Sequence, residues 1–306
     1  MFDFKNVKKS PLVPPAFVSD KATGYFSASW DMQLALKSAG HVIDMFAQKE
    51  GAFSDALDSL QLDLEVDLLQ VIEQFDNEFV VTSDSDTRNG DESIAFAFRL
   101  KGDADYVIDN IKKSFPIEHK LVQFQNLTII EIVEAVDDEE FDVVWADPVD
   151  PVEEGPFLIL EKKFYATSDG YLFVANNLNY LKNILQSRHD TISDSNDNQR
   201  VAASLEKITD SNKISFRQFS RLDRVVRSNY ELMRTGKMPA GQTVLSRLIN
   251  HLIESAPDRQ RAQEIDGSRL PPDFDTHVAP HLGPSGLVME MADDGWLFTG
   301  VVLDRK

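Results

Sequence analysis

Residues Ser93-Ile-Ala-Phe-Ala-Phe-Arg-Leu100 alternate without a break, and Ile94, Phe96, Phe98 and Leu100 fall on one side of an extended chain. Strict alternation of this kind marks a β-strand, and a strand needs partners. The sequence supplies them. Gly24-Tyr-Phe-Ser-Ala-Ser-Trp30 sets Tyr25, Ser27 and Ser29 on one face and Phe26, Ala28 and Trp30 on the other. Strands are also expected at 78–82, 121–124, 128–133, 163–167, 171–175, 213–217, 286–291 and 296–303. Turn residues sit between several of them: Asn89-Gly90, Gln125-Asn126, Asp169-Gly170 and Asp293-Asp294-Gly295. Helical spacing predicts a helix after Asp31, with Leu34, Ala35, Ile43 and Phe46 as its apolar residues, and one or two more over 53–75. Further helices are expected over 104–115, 178–185, 200–208, a stretch ending near 233, and 243–254. The fold class that follows is α+β: a mainly antiparallel sheet covered by helices, in two related strand–turn–strand–helix halves.

Residues 137–156 interrupt this grammar with nine acids and three prolines. Such a stretch cannot be a central strand or a regular helix. It divides the chain into an N-terminal half (1–136), an acidic, Pro-rich loop (137–156) and a C-terminal half (157–306), with one continuous domain as the alternative. Charge follows the same divide. Residues 1–199 hold 16 basic and 37 acidic side chains, residues 200–270 hold 13 and 8, and residues 271–306 hold 2 and 6. The net charge of −20 therefore conceals a basic segment of +5.

An acidic chain is a poor nucleic-acid binder, because phosphate affinity comes from clustered Lys and Arg. The 20 Phe argue against disorder. The chain has no cysteine, which removes disulfides, thiolate zinc sites and cysteine nucleophiles together. No apolar run is long enough for a membrane helix, and charges near Met1 leave no signal peptide in this chain.

No motif commits the chain to a reaction. Asp273, Asp275, His277 and His281 are the best metal candidates, but Pro271, Pro272, Pro280 and Pro284 surround them and their spacing fits no standard site. The stretch from Asp84 to Gly90 fails as a calcium loop, because Arg88 stands at a ligand position and Ala95 where a bidentate Glu belongs. There is no Gly-x-Ser-x-Gly, phosphate loop or dinucleotide fingerprint. No catalytic residue, metal or cofactor is assigned. Two features instead suggest a partner. Arg217, Arg221 and Arg224 would align on one face of a helix that begins early enough, and Asp137, Asp138, Glu139 and Glu140 open the acidic loop. They read as partner-binding surfaces, for a protein partner or for self-association.

Longer stretches are familiar in their order. Phe26-Ser-Ala-Ser-Trp30-Asp-Met-Gln-Leu-Ala-Leu, Gly51-Ala-Phe-Ser-Asp-Ala-Leu and Leu62-Asp-Leu-Glu-Val-Asp-Leu-Leu are followed by Phe79-Val-Val-Thr-Ser-Asp. The close carries Leu270-Pro-Pro-Asp-Phe, His281-Leu-Gly-Pro-Ser-Gly and Asp294-Gly-Trp296-Leu-Phe-Thr-Gly. Together these resemble the C-terminal part of long, uncharacterised exported proteins of planctomycete bacteria, over about residues 24–135 and 270–304. That family has no assigned activity. The resemblance implies a periplasmic or secreted location and a longer parent chain that carries the export signal. The expected function is a non-enzymatic exported structural or interaction protein. The alternatives are a hydrolase or carbohydrate-active enzyme with an Asp/Glu pair, and a carrier of small molecules or lipids.

Overall fold

A computed structural model describes residues 14–18, 22–29, 32–64, 66–85, 92–114, 119–133, 162–187, 196–210, 214–235, 270–292 and 295–305. Its strands are β1 (Gly24–Ser29), β2 (Phe75–Ser85), β3 (Glu92–Leu100), β4 (His119–Phe124), β5 (Leu127–Val133), β6 (Lys162–Ser168), β7 (Tyr171–Ala175), β8 (Ile214–Arg221), β9 (Pro284–Ala292) and β10 (Gly295–Val302). They form one sheet in the order β10-β9-β8-β1-β2-β3-β7-β6-β5-β4, and every neighbouring pair is antiparallel. The helices are α1 (Met32–Ala47), α2 (Ala52–Leu64), α3 (Leu68–Glu73), α4 (Ala104–Ser114), α5 (Leu178–Ser187), α6 (Asn196–Glu206), α7 (Leu222–Arg234) and the short α8 (Phe274–His277). The protein is thus α+β, and strands from both sides of residues 137–156 share one sheet. β1, β2 and β3 lie at its centre, flanked by β8 on one side and β7 on the other.

Turn chemistry fixes two of the hairpins. Gln125 (φ 53°) lies between β4 and β5, and Asp169 (φ 47°) with Gly170 (φ 75°) lies between β6 and β7. Positive φ at a tight turn matches the right-handed twist of the strands it joins.

Register builds the main core. Val288, Arg217, Ser27, Val80, Ala97, Phe173 and Ala166 stand side by side across β9, β8, β1, β2, β3, β7 and β6. Each is 2% exposed or less. Leu181, Ile184 and Leu185 of α5, and Val201 and Leu205 of α6, pack in the same cluster. Gly286 permits the approach of α6, since a Cβ there would lie 2.3 Å from Cγ1 of Val201. Phe17 closes the cluster with edge contacts at 5.1 Å to both Tyr171 and Phe173. Each large apolar side chain buried this way contributes about 1.5–3 kcal/mol before entropy is counted.

The opposite face is covered more lightly. Val107, Ile108 and Ile111 of α4 pack on Leu100 and Leu172, and Ile108 and Ile111 also meet Ile130, Ile132 and Tyr165. Next to this lies a run of rings, Phe216, Phe26, Phe79 and Phe98, with centroids 5.6–6.1 Å apart, and all four are only half-buried.

Three outcomes differ from what the sequence suggests. The polar side of β1 is the inner one: Tyr25, Ser27 and Ser29 are buried, whereas Phe26 is half-exposed. Two of the apolar residues expected to bury a face of α1 are exposed, Ile43 at 41% and Phe46 at 79%. And β8 continues to Arg221, so Arg217 and Arg221 do not lie on a helix with Arg224. Two neighbours explain the last point, because β8 is hydrogen-bonded to β1 on one side and β9 on the other. A central strand gains two ladders where a helical start would gain one set of bonds. The Asn89-Gly90 turn and the helix expected at 243–254 lie outside the described residues.

Candidate functional site

Arg217 is the one charged residue in the fully buried row. Its guanidinium stands 5.9 Å over the ring of Tyr25. Its ion-pair partner is Glu78 of β2, at 3.8 Å between Nη2 and Oε1. That distance is too long for a hydrogen bond, and Nε, Nη1 and Nη2 of Arg217 find no hydrogen-bond partner among the described residues. Burial pulls the Arg217 guanidinium down from its ordinary range, against the opposing pull of Tyr25, Glu78 and Tyr171. Burial likewise pushes the Tyr25 hydroxyl up to about 12.

Glu78 links this cation to a second one. Its Oε2 lies 3.5 Å from Nη1 of Arg99 on β3 and accepts a hydrogen bond from the Tyr171 hydroxyl at 3.4 Å. Arg99 donates to the Tyr171 oxygen at 3.1 Å and lies 3.7 Å from Asp76. Five strands therefore contribute to one polar row: β8, β1, β2, β3 and β7. The two guanidiniums face different oxygens of Glu78, at 3.8 and 3.5 Å, so the carboxylate links β8 to β3 electrostatically.

The other residues singled out in the sequence are placed as follows. Arg221, at the end of β8, lies 3.8 Å from Asp197 of α6 and 3.7 Å from Asp223 of α7. Asp223 also faces Arg305, and Asp197 faces Arg200. Arg224 stands in the first turn of α7, where burial and the neighbouring Arg221 both lower its guanidinium pKa. Arg217 and Arg221 are thus answered within the chain by Glu78, Asp197 and Asp223. Asp137, Asp138, Glu139 and Glu140 lie outside the described residues.

The Asp and His cluster near the C-terminal end has a structural use for its acids. Asp273 caps α8 by accepting from the backbone N–H groups of Asp275 and Thr276, and Asp275 pairs with Arg227. Among the described residues no group of three or more His, Asp or Glu converges as metal ligands.

Exposed apolar surface is concentrated in two places. The first is the α1–α2–α3 layer, where Met45 is 63%, Phe46 79% and Leu62 79% exposed, with Val42, Ile43, Leu60 and Leu69 beside them in sequence. Asp44 ties the first two helices together, accepting from the Gly51 and Phe53 N–H groups at 3.0 and 2.9 Å. Those two bonds hold its carboxyl below the usual carboxylate range. Gly40 lets the Phe53 ring lie against α1. The second place is the edge strand β10, where Trp296, Leu297 and Phe298 are 59%, 54% and 55% exposed. Beside it an open groove of about 270 Å³ runs between Gln218, Ser285, Leu287, Gly300 and Val302.

Fold and surface together define an α+β protein built on a single antiparallel sheet, with a locked polar row inside and apolar side chains left outside. None of its described helices is long and apolar enough to cross a membrane. No protein-family model matches the chain, and no curated protein matches it. Among solved structures it is similar to crystal form I of TP0453, with a TM-score of 0.35 and 10% identity over 96% of this chain and 78% of that one. A likeness of that size carries no argument about fold or role.

Proposed function

We propose that the chain is a non-enzymatic, exported interaction protein that binds other proteins through apolar surface carried on its sheet. The observation that supports this reading is the α1–α2–α3 layer, whose large apolar side chains are displayed instead of packed. Isolated exposed apolar residues are ordinary, but α1 alone displays Val42, Ile43, Met45 and Phe46 within five residues, and a concentration of that kind marks a contact surface. The extracytoplasmic location rests on the sequence resemblance alone, and cell fractionation tests it.

The interaction role is tested with Phe46→Asp combined with Leu62→Asp. Both side chains are exposed, so the double variant keeps the melting temperature of the natural chain to within a few degrees. Binding to envelope proteins of its own cell should fall at least tenfold. Undiminished binding by the double variant, or turnover of glycoside or ester substrates by the natural chain, would overturn the reading.

A further inference from the structure

We propose that β10 pairs antiparallel with β10 of a second copy of this chain, joining two ten-stranded sheets into one. This goes beyond the interaction role argued from α1–α3 and stands on a different element.

The two ends of the sheet differ. β4 at one edge is six residues long and includes His119 and Lys120. Charges of that kind are how natural edge strands discourage pairing. β10 at the other edge is eight residues, Gly-Trp-Leu-Phe-Thr-Gly-Val-Val, with no charge and no proline. Its outward apolar side chains are more than half exposed at Trp296, Leu297, Phe298 and Val302. A long, neutral, apolar edge is a template for another strand.

The strand itself selects a second copy in antiparallel orientation, because it carries both a large ring, Phe298, and a gap, Gly300, which a twofold axis sets opposite each other, whereas parallel in-register pairing would set Phe298 against Phe298 and Gly300 against Gly300. Side-chain shape selects the register. Paired residues must point to the same face. With Thr299 opposite Thr299 of the second copy, Phe298 falls opposite Gly300 and Trp296 opposite Val302. The missing side chain at Gly300 leaves the groove beside Leu287 and Val302 open. The incoming Phe298 ring fills it, as aromatic rings do opposite glycine across strands. One strand and four apolar side chains from each copy make a small interface, so the affinity expected is in the micromolar range.

The chain lacks cysteine, which makes the register directly testable. Thr299→Cys places the only two thiols of the dimer opposite each other, at a Cβ separation of about 4.5–5.5 Å. Mild oxidation should give a disulfide dimer in high yield. Leu121→Cys, at an exposed position on the other edge, is the control and should give at least tenfold less. In sedimentation over a concentration series, the natural chain should move from monomer to dimer, while Phe298→Lys stays monomeric with an unchanged circular dichroism spectrum. A natural chain that is monomeric throughout, or equal crosslinking at 299 and 121, would overturn the proposal. Either result would leave the role of α1–α3 standing, since Phe46→Asp with Leu62→Asp does not touch β10.

Discussion

At the scale of single residues, Arg217 carries the largest electrostatic cost in the described fold. It is 2% exposed, and Glu78 is its compensating charge. Removing one member of a buried pair strands the other charge and costs about 3–5 kcal/mol where that charge stays buried and unpaired, whereas replacing a whole buried pair with apolar side chains is often neutral or stabilising. Glu78 is not fully buried, so the lower end applies. Glu78→Gln, which strands the buried Arg217 cation, should destabilise the protein by about 3 kcal/mol, and Arg217→Met, which leaves Glu78 partly exposed and still facing Arg99, by less than about 1 kcal/mol. Urea denaturation of both variants and of the double variant checks this. An Arg217→Met loss as large as that of Glu78→Gln would mean that the ion pair itself, and not the stranded charge, sets the stability. None of this pairing is legible in the sequence. Glu78 and Arg217 lie far apart in the chain and become neighbours only because β1 inserts between β2 and β8. The partial clue is the polar side of β1, where Ser27 and Ser29 leave room beside a large charged side chain.

At the scale of elements, turns and alternation are read from sequence because their causes are local. The Asp169-Gly170 hairpin needs positive φ and has the residues that tolerate it, whereas in the Gln125-Asn126 hairpin the positive φ falls on Gln125 and not on the more tolerant Asn126. The end of β8 was ambiguous for a physical reason. Residues at i and i+4 share a face on a helix, and they also share a face on a strand. The spacing of Arg217 and Arg221 therefore fits either, and only the neighbours β1 and β9 decide. The α1–α2 pair shows a non-local cap of the same legibility problem: Asp44 sits in α1 but satisfies N–H groups at the start of α2. Its folded pKa is depressed, so its contribution is present above the ordinary Asp value and is lost as pH falls through the lowered one. The α1–α2 connection should therefore loosen on acidification below the ordinary carboxylate range. Hydrogen exchange at Gly51 and Phe53 reads this directly. In Asp44→Asn the same amides should exchange faster at neutral pH and show no further change through that window; unchanged exchange in the variant would remove Asp44 from the cap.

At the scale of the whole molecule, the antiparallel α+β class was legible, while the order of the strands was not. The two halves do not stand apart: β7 follows β3 and β8 follows β1 in one sheet. The charge of −20 also acquires a finer meaning. Part of the basic segment is spent on Glu78, Asp197 and Asp223, and among the described residues the exposed apolar side chains are the outstanding surface feature. Solvent exposure of Phe46, Leu62 and Phe298 could not be read from spacing, because a helical or alternating pattern shows that an apolar face exists and not whether anything covers it. Hydrogen exchange of the purified chain, with and without an extract of its own cell envelope, tests the interaction role most directly. Slowed exchange confined to Met32–Ala47 and Ala52–Leu64, with Gly295–Val302 already slow at concentrations where the chain pairs with itself, is the predicted result. Exchange that is unchanged in the helical layer, or slowed instead around Glu78, Arg99 and Tyr171, would contradict it.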